Sequence, residues 1–492
     1  MSSIATDARN PSLELPALQL FIALLLALRL WFQLQGGILG DEAYYWMWGQ
    51  HPGWSYFDHP PLHAWLLGVV ALFGWHPFAV RALTWVSLAV VLMVLRAWAH
   101  RLGGADPRLW FWRATAVYLA SPVLFVLTST AYNDHLLVAL SLASVHCFIL
   151  FTERVESGAA GGTRWLFAAA LLLGLAVLTK YNGVFVGLGF ALAFLLRPRL
   201  RALLASPAPW LAALLAIAIQ LPVLWWNIVE AGASFRYHLD DRWGGSHSAD
   251  VFRALRFVGL SLLFWSPFLV WPLVRLIRTK AGNGFFSATR FLALAIFVAS
   301  TAILVVVAIV LDAYFYWNIV ALVSLTPLVA GFANRWLRAL HYLYGLFWAA
   351  LLFVNFTIAP IVSFAGMKDY GTALNYDWHL VAERMQEEQA THPGALVGAT
   401  RYSTTAQLGF ALRTVDVVKL SPEHSQWDYW QAGRDLGGAS ALILVDEPDE
   451  SATLHFLRAH FTALETIDSF PVERLGQAIY SWRIMYGTGW HD

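Results

Sequence analysis

Long apolar stretches separated by short polar loops run through most of the chain. A membrane-crossing helix requires roughly 20 apolar residues. The pattern predicts eleven such spans, over residues 15–35, 78–100, 111–131, 134–152, 164–180, 182–197, 207–228, 252–276, 291–312, 314–333 and 338–360. Only "TKYN" separates the fifth from the sixth. The run 62–73 is apolar but short, and predicts a helix lying in the membrane interface. From about residue 361 the pattern changes. "TALNYDWHLVAERMQEEQATHPG" is polar with a helical period, while "ALVGA", "VDVVKL" and "ALILVDE" have the character of short buried strands. "STTAQLGFAL" and "ESATLHFLRAHF" predict helices between and beyond them. The expected architecture is therefore an α-helical polytopic membrane domain, 1–360, followed by a soluble α/β domain, 361–492, of ordinary domain size.

Composition agrees. Of 492 residues 59% are hydrophobic and 13% charged, where a soluble domain carries about 25% charged residues. So few charges would not cover a soluble surface. The net charge of +1 offers no electrostatic footprint for nucleic acid. The single cysteine, Cys147, allows no intramolecular disulfide and reads as a core thiol. The first apolar run is too long for a signal-peptide core and lacks a small-residue cleavage site, so it is expected to remain as an anchor.

Basic residues set the expected orientation. With a cytoplasmic N-terminus, the inside loops and adjoining span ends carry Arg101, Arg108, Arg113, Arg154, Arg164, Arg197, Arg199, Arg201, Arg275, Arg278, Lys280, Arg290, Arg335 and Arg338. The outside loops hold Lys180, Arg236 and Arg242, with Arg81, Arg253 and Arg256 where two spans begin. This places the C-terminal domain outside the cytoplasm.

The polar chemistry gathers on that outer side. Residues 36–61, "GGILGDEAYYWMWGQHPGWSYFDHPP", contain Asp41, Glu42, His51, Asp58 and His59 among many aromatic residues. "TAYNDH" brings Asn133 and Asp134, "TKYN" brings Lys180 and Tyr181, and "SFRYHLDDRWGG" brings Arg236, His238, Asp240, Asp241 and Arg242. "LDAYFYWN" adds Asp312 and Tyr316. Each loop alone fits solvated or snorkelling charges beside an aromatic belt. Asp41-Glu42 alone fits the acids favoured at a helix N-terminus. The first loop as a whole is not explained that way, because it has acids, a double proline and no lysine or arginine. Asp134 and Lys180 lie near membrane depth, where ionisable groups are costly and point to function. Lys180 has no acidic neighbour close in sequence, which predicts an anion brought to it. There is no Gly-rich phosphate loop, HExxH or cysteine metal cluster. His59 and His63, at i, i+4, would share a helix face as a hydrogen-bonding pair or as two ligands of a divalent metal.

"DEAYYWMWGQHPGWSYFDHPPLHAWLLGVVALFG" resembles the first outer loop of the membrane glycosyltransferases of the C-type fold, family 39. The likeness is to the bacterial branch related to aminoarabinose and galacturonic acid transferases of lipid A. "LTSTAYND", "LTKYNG", "SFRYHLDDRWGG", "YWNIVALVSLTPL", "RYSTTAQLGFAL" and "SQWDYW" follow in the family's order. The resemblance implies an inverting enzyme of the bacterial inner membrane, using a sugar carried on polyprenyl phosphate and an envelope acceptor such as lipid A, another glycan or a protein. It implies Asp41 as general base, because an acceptor hydroxyl attacks poorly until its proton is taken. Glu42 would support it, and Asp134 would be a second acidic position orienting acceptor or sugar. Cations beside the leaving phosphate would lower the barrier; Lys180, Arg236 and Arg242 are the candidates. His59 stands where some relatives carry lysine. Tyr44, Tyr45 and Trp46 would cover a sugar face and the prenyl chain. Asp58, Asn133, Tyr181, His238 and Tyr316 complete the expected substrate contacts. No cofactor is required by this reading, and a divalent metal stays open. Two other classes compete. A transporter or flippase would show ionisable groups deep in its spans and matching halves, and neither is evident. A non-catalytic scaffold would leave the acidic first loop unexplained.

Overall fold

The computed structural model describes residues 11–238, 249–280, 282, 284–364, 366–367, 369–446 and 450–491. The chain is mostly helical. Among the described residues five helices are long and apolar enough to cross a membrane: Leu13–Gln35, Pro77–Leu102, Asn133–Ser157, Phe285–Val310 and Arg335–Ile358. Four further apolar segments are pairs of helices bent at a short break. These are Pro107–Leu119 with Pro122–Ser129, Tyr181–Leu196 with Pro198–Ala205, Pro207–Ala218 with Leu221–Val229, and Val251–Trp265 with Pro267–Arg278. The bends reach 77°, 89°, 46° and 87° respectively. Each break has a proline at the first or second position of the helix that follows. Proline lacks the amide proton that would continue the ladder, and it crowds the preceding turn. The sequence predicted spans over 111–131, 182–197, 207–228 and 252–276 without indicating these bends. The segment 62–73, expected as a short helix, is one, ending in a 3-10 turn.

Two compact units make up the chain. The first comprises Met1–Arg29, His59–His63 and Arg81–Ala350. At its centre lies helix Ile319–Ala330, every residue of which is buried. It is apolar on all sides, as a helix surrounded by other helices must be. Its few polar groups are satisfied: Trp265 Nε1 donates to Thr326 Oγ1 at 2.9 Å and Ser324 Oγ donates to the Val320 carbonyl at 2.7 Å, while Asn318, just before the helix, bridges Ser300 and Thr301 at 2.6 and 2.8 Å. The outer helices behave oppositely. In Phe285–Val310, the most hydrophobic of the five, only 28% of the apolar window is buried, and Val298 and Val306 face outward. A large apolar surface of this kind marks a protein bathed in lipid, and the chain is a multi-pass membrane protein. Helices approach closely where side chains vanish. A Cβ on Gly345 would lie 2.1 Å from the Ala120 carbonyl oxygen, so only glycine fits there.

The second unit comprises Leu30–Asp58, Ala64–Val80 and Leu351–Asp492. It holds a five-stranded mixed sheet of β1 (Leu396–Ala399), β2 (Val418–Lys419), β3 (Ala441–Asp446), β4 (Phe461–Arg474) and β5 (Gln477–Trp490), in the order β2-β1-β3-β5-β4. β1 runs parallel to β2 and β3, and β5 runs antiparallel to β3 and β4. β3 is buried throughout, and its continuous "ALILV" run suits a strand covered on both faces. The helices expected from the sequence are Trp378–Thr391, Tyr402–Leu412 and Glu450–His460. The β4–β5 hairpin was not expected. Its two-residue turn places both Leu475 and Gly476 at positive φ, 51° and 77°.

Most of the first polar loop, residues 36–58, folds within this second unit. It forms helix Gly40–Gln50, in which residues 42–48 are all buried. Gly40 meets Ser403, and Met47 reaches over Gly409, both on helix Tyr402–Leu412. On another side Gly49 meets Gly68, where an added Cβ would lie 2.7 Å from backbone nitrogen.

Candidate active site

In the second unit the candidate residues converge around Asp41. Glu42 Oε2 accepts the Leu39 amide at 3.1 Å, satisfying one of the donors left over at the start of helix Gly40–Gln50. Asp41 stands half-buried on the same first turn, where the helix dipole favours a carboxylate. Its Oδ1 accepts the Tyr402 hydroxyl at 3.0 Å. Tyr402 follows β1 by three residues and opens helix Tyr402–Leu412, so it sits beyond the carboxyl end of a parallel strand, where open α/β sheets place ligands. Its amide donates to Glu423 Oε2 at 3.2 Å, and its carbonyl accepts from Trp427 Nε1 at 3.0 Å. The preceding Arg401 pairs with buried Asp446 at the end of β3, at 2.8 Å.

The Tyr402 ring packs on Tyr44, centroids 4.7 Å apart. Tyr44 is fully buried, and its hydroxyl accepts the Gln426 amide at 2.8 Å. The side-chain oxygen of the same Gln426 accepts the Phe57 amide at 2.7 Å, which fixes the backbone beside Asp58. Asp41 beside it and burial push the Tyr402 phenol well above its ordinary value, with a further contribution from Asp58. Burial and then Asp58 push Tyr44 up in the same way. Both phenols therefore stay protonated at neutral pH, and Tyr402 acts as a donor to Asp41.

Other members of the aromatic loop serve packing. Tyr45 is buried against Trp48 at 4.9 Å, Trp46 against Trp75 and Phe410, and Trp48 lies flat on Tyr56 at 4.6 Å. They form core inside the unit rather than an exposed belt, since apolar area is worth most when fully removed from water.

The first unit gathers a separate set. Lys180, the residue after helix Thr163–Thr179, sends Nζ to Asp134 Oδ1 and Oδ2 at 2.9 and 2.8 Å. The two side chains are 8% and 3% exposed. The Lys180 ammonium also stands 5.2 Å from the centroid of Tyr316. The anion predicted for Lys180 is thus Asp134, 46 residues earlier. Two residues read from the sequence as separate contacts, one to phosphate and one to acceptor or sugar, are one buried ion pair.

Tyr181 hydrogen-bonds Ser234 at 2.9 Å and lies 5.3 Å from His238, which in turn is 6.4 Å from His59. Arg236 is exposed. Arg242, with Asp240 and Asp241, lies outside the described residues. His59 and His63 do not share a helix face, because Pro60 and Pro61 intervene and the helix begins at Leu62. His63 is buried beside Asn133 instead and meets His135 nitrogen to nitrogen at 3.2 Å; His135 reaches Ser87 at 2.8 Å. Among the described residues no group of three or more His, Cys, Asp or Glu is placed to hold a metal.

Comparison with known proteins gives this geometry a context. The family described as dolichyl-phosphate-mannose-protein mannosyltransferase matches residues 58–226, which include His59, Asp134 and Lys180 but not Asp41. ArnT from Cupriavidus metallidurans bound to undecaprenyl phosphate superposes with a TM-score of 0.64 at 16% identity, over 96% of this chain and 98% of that one. Its apo state gives 0.62 at 17% identity, with the same coverage. The chain therefore has the C-type glycosyltransferase fold. Among curated sequences it is 26% identical over 253 residues to lipid A galacturonosyltransferase RgtD of Rhizobium johnstonii (strain DSM 114642 / LMG 32736 / 3841), across 49% of this chain and 50% of the relative. The alignment thus spans about half of that relative's length. The chain resembles the enzymes that modify lipid A.

Tyr402, Gln426 and Glu423 were not singled out from the sequence. Tyr402 and Gln426 do fall in "RYSTTAQLGFAL" and "SQWDYW", two of the segments that carried the family likeness.

Proposed function

We propose that this protein is an inverting glycosyltransferase of the bacterial inner membrane. It moves a sugar from polyprenyl phosphate to a hydroxyl of an envelope acceptor (lipid A, another glycan or a protein) on the extracytoplasmic side. The observation that carries the reading is the Asp41 carboxylate, held at 3.0 Å by Tyr402 on the first turn of a buried helix. Asp41 takes the acceptor proton, the acceptor oxygen bonds to the anomeric carbon, and the carbon–oxygen bond to phosphate breaks with its electron pair leaving on polyprenyl phosphate. Attack opposite the leaving group inverts the centre. Tyr402 keeps Asp41 oriented, and Glu42 holds the helix end. Asp58 is assigned to the sugar side, and buried Tyr44 backs the Tyr402 ring. Tyr316 lies against the Asp134–Lys180 pair, which holds the local fold, and Asn133, Tyr181 and Tyr316 are assigned to substrate contacts. Arg236, His238 and His59, with Arg242, are assigned to the donor phosphate. The fold shared with a protein crystallised on undecaprenyl phosphate supports the choice of donor.

The membrane arrangement belongs to the same proposal. The five long helices, the four bent pairs and the shorter Thr163–Thr179 and Phe315–Ala330 would make eleven crossings. With the N-terminus cytoplasmic, residues 361–492 lie outside, and a C-terminal reporter fusion behaves as exported.

The test is mass spectrometry of envelope lipids and glycans from a deletion strain carrying the wild-type gene, Asp41→Asn, or an empty vector. A saccharide addition is expected to vanish in the deletion and return with the wild type. With Asp41→Asn turnover falls by roughly 10²–10⁴, the usual contribution of a general base. Full restoration by Asp41→Asn, or transfer by the purified protein from a nucleotide sugar alone, sinks the proposal.

A further inference from the structure

A cleft of about 310 Å³ opens in the first unit between the starts of Leu13–Gln35 and Arg335–Ile358. Its charged lining is Glu14, Arg335 and Arg338, and Ala17, Leu18, Phe21 and Ala339 continue it as an apolar trough along the two helices. Glu14 is claimed by Arg113, through two bonds of 2.6 Å, and by Arg338 at 3.5 Å. Two arginines thus share this carboxylate, and a third, lining the same cleft, brings further positive charge. Arg335 carries it: the residue is exposed, it stacks its guanidinium over the neighbouring Trp336 ring at 5.0 Å, and no carboxylate pairs with it among the described residues. Tyr342 also lines the cleft; its hydroxyl is shielded and has no hydrogen-bond partner among the described residues, while its ring packs on Phe21 at 5.0 Å.

Each feature asks for the same occupant. A shielded hydroxyl without a partner is costly unless something polar sits against it. An unpaired arginine at a span end, beside a tryptophan 66% exposed, lies at headgroup level. The apolar trough continuing from the cations has the shape an acyl chain needs, and a free anion would leave it empty. We propose that this cleft binds one anionic phospholipid. Its phosphodiester accepts from Arg335 and Tyr342, with Arg338 behind, and a chain lies along Ala17, Leu18 and Phe21. Basic pockets between spans recognise such headgroups. The proposal is independent of the reaction proposed above.

Protein stripped of lipid in detergent is titrated with phosphatidylglycerol, with phosphatidylcholine and with inorganic phosphate, and read by native mass spectrometry. One phosphatidylglycerol is expected to bind more tightly than phosphatidylcholine and to withstand millimolar phosphate. Arg335→Gln, at an exposed side chain, lowers phosphatidylglycerol affinity about fivefold, the equivalent of ~1 kcal/mol for one basic residue at an anionic lipid surface. Tyr342→Phe, which keeps the packing on Phe21, also weakens phosphatidylglycerol and leaves phosphatidylcholine unchanged. Without lipid both variants melt no lower than the wild type, so the loss is one of binding. Equal affinity for the two lipids, or full phosphatidylglycerol preference in both variants, overturns the proposal. So does displacement of phosphatidylglycerol by inorganic phosphate, which would make the ligand a free anion.

Discussion

Removing one member of the Asp134–Lys180 pair should harm the protein more than removing both. The Nζ group is shared between two carboxylate oxygens at 2.8 and 2.9 Å, and both side chains are below a tenth exposed. Solvent is therefore nearly absent from the pair. Lys180→Met leaves Asp134 buried without its counter-charge, and Asp134→Asn leaves the ammonium in the same state. Each single change is expected to cost about 3–5 kcal/mol of stability, roughly 10²–10⁴ in the folding equilibrium. The double variant Asp134→Asn with Lys180→Met removes both charges and keeps volume and shape close to the original. It should recover most of that loss, giving a coupling energy of several kcal/mol in the double-mutant cycle. The assay is denaturant or thermal unfolding of the four proteins in nanodiscs of one composition. Additive losses, with the double variant worse than either single one, would refute the reasoning. Activity of the double variant then separates two roles. A folded, active double variant shows the pair to be structural, and a folded, inactive one shows that a charge of the pair reaches the substrate.

Tyr402→Phe removes the hydroxyl that orients Asp41 and should lower kcat by roughly tenfold to a hundredfold, the worth of a hydrogen bond to a charged group at about 1.5–3 kcal/mol; unchanged kcat in a folded variant counts against the site. Because the folded protein holds the Tyr402 and Tyr44 phenols above their ordinary value, it binds more protons than the unfolded chain above about pH 10. Stability is present in full below that pH and falls as pH rises through it, and unfolding midpoints across pH 9–11 should show a shallower fall in Tyr402→Phe. Glu42→Ala deletes the bond to the Leu39 amide and should cost about 0.5–2 kcal/mol in unfolding measurements, with turnover close to wild type in the protein that remains folded. Gly49→Ala pushes a methyl group into backbone at Gly68 and should lower stability by about 1–3 kcal/mol, again read by unfolding.

Hydropathy made the apolar segments legible, because burial in lipid demands the same apolar length everywhere. It did not reveal the bends. The sequence shows Pro122, Pro198, Pro222 and Pro267 inside or beside apolar runs, and a proline there is compatible with either a kink or a tolerated position in a span. The parallel strands of the C-terminal segment were visible as short apolar runs. The hairpin was not, since polar residues interrupt β4 throughout and it carries Pro471 near its end. Its turn at Leu475–Gly476 also lacks the Asn-Gly or Asp-Gly pair that usually announces one. Among site residues, the acids at 41, 42 and 134 were visible because charge in an apolar chain is conspicuous. The partner of Lys180 was hidden by 46 residues of separation and the partner of Asp41 by 361. Nothing local in a sequence encodes such distances.

That last separation also sets a schedule for synthesis. Helix Gly40–Gln50 leaves the ribosome early, and helix Tyr402–Leu412, on which it packs, arrives 361 residues after Asp41. At about 5–20 residues per second the wait is roughly 20–70 s. During it Tyr44, Trp46, Met47 and Trp48, all buried in the finished protein, have no C-terminal partner to cover them. The nascent chain must keep this aromatic segment from wrong associations while span after span is inserted. An amphiphilic bilayer surface is a suitable resting place for tryptophan and tyrosine. Release of the segment from that surface, rather than insertion of the last helix, would then be the final step of biogenesis.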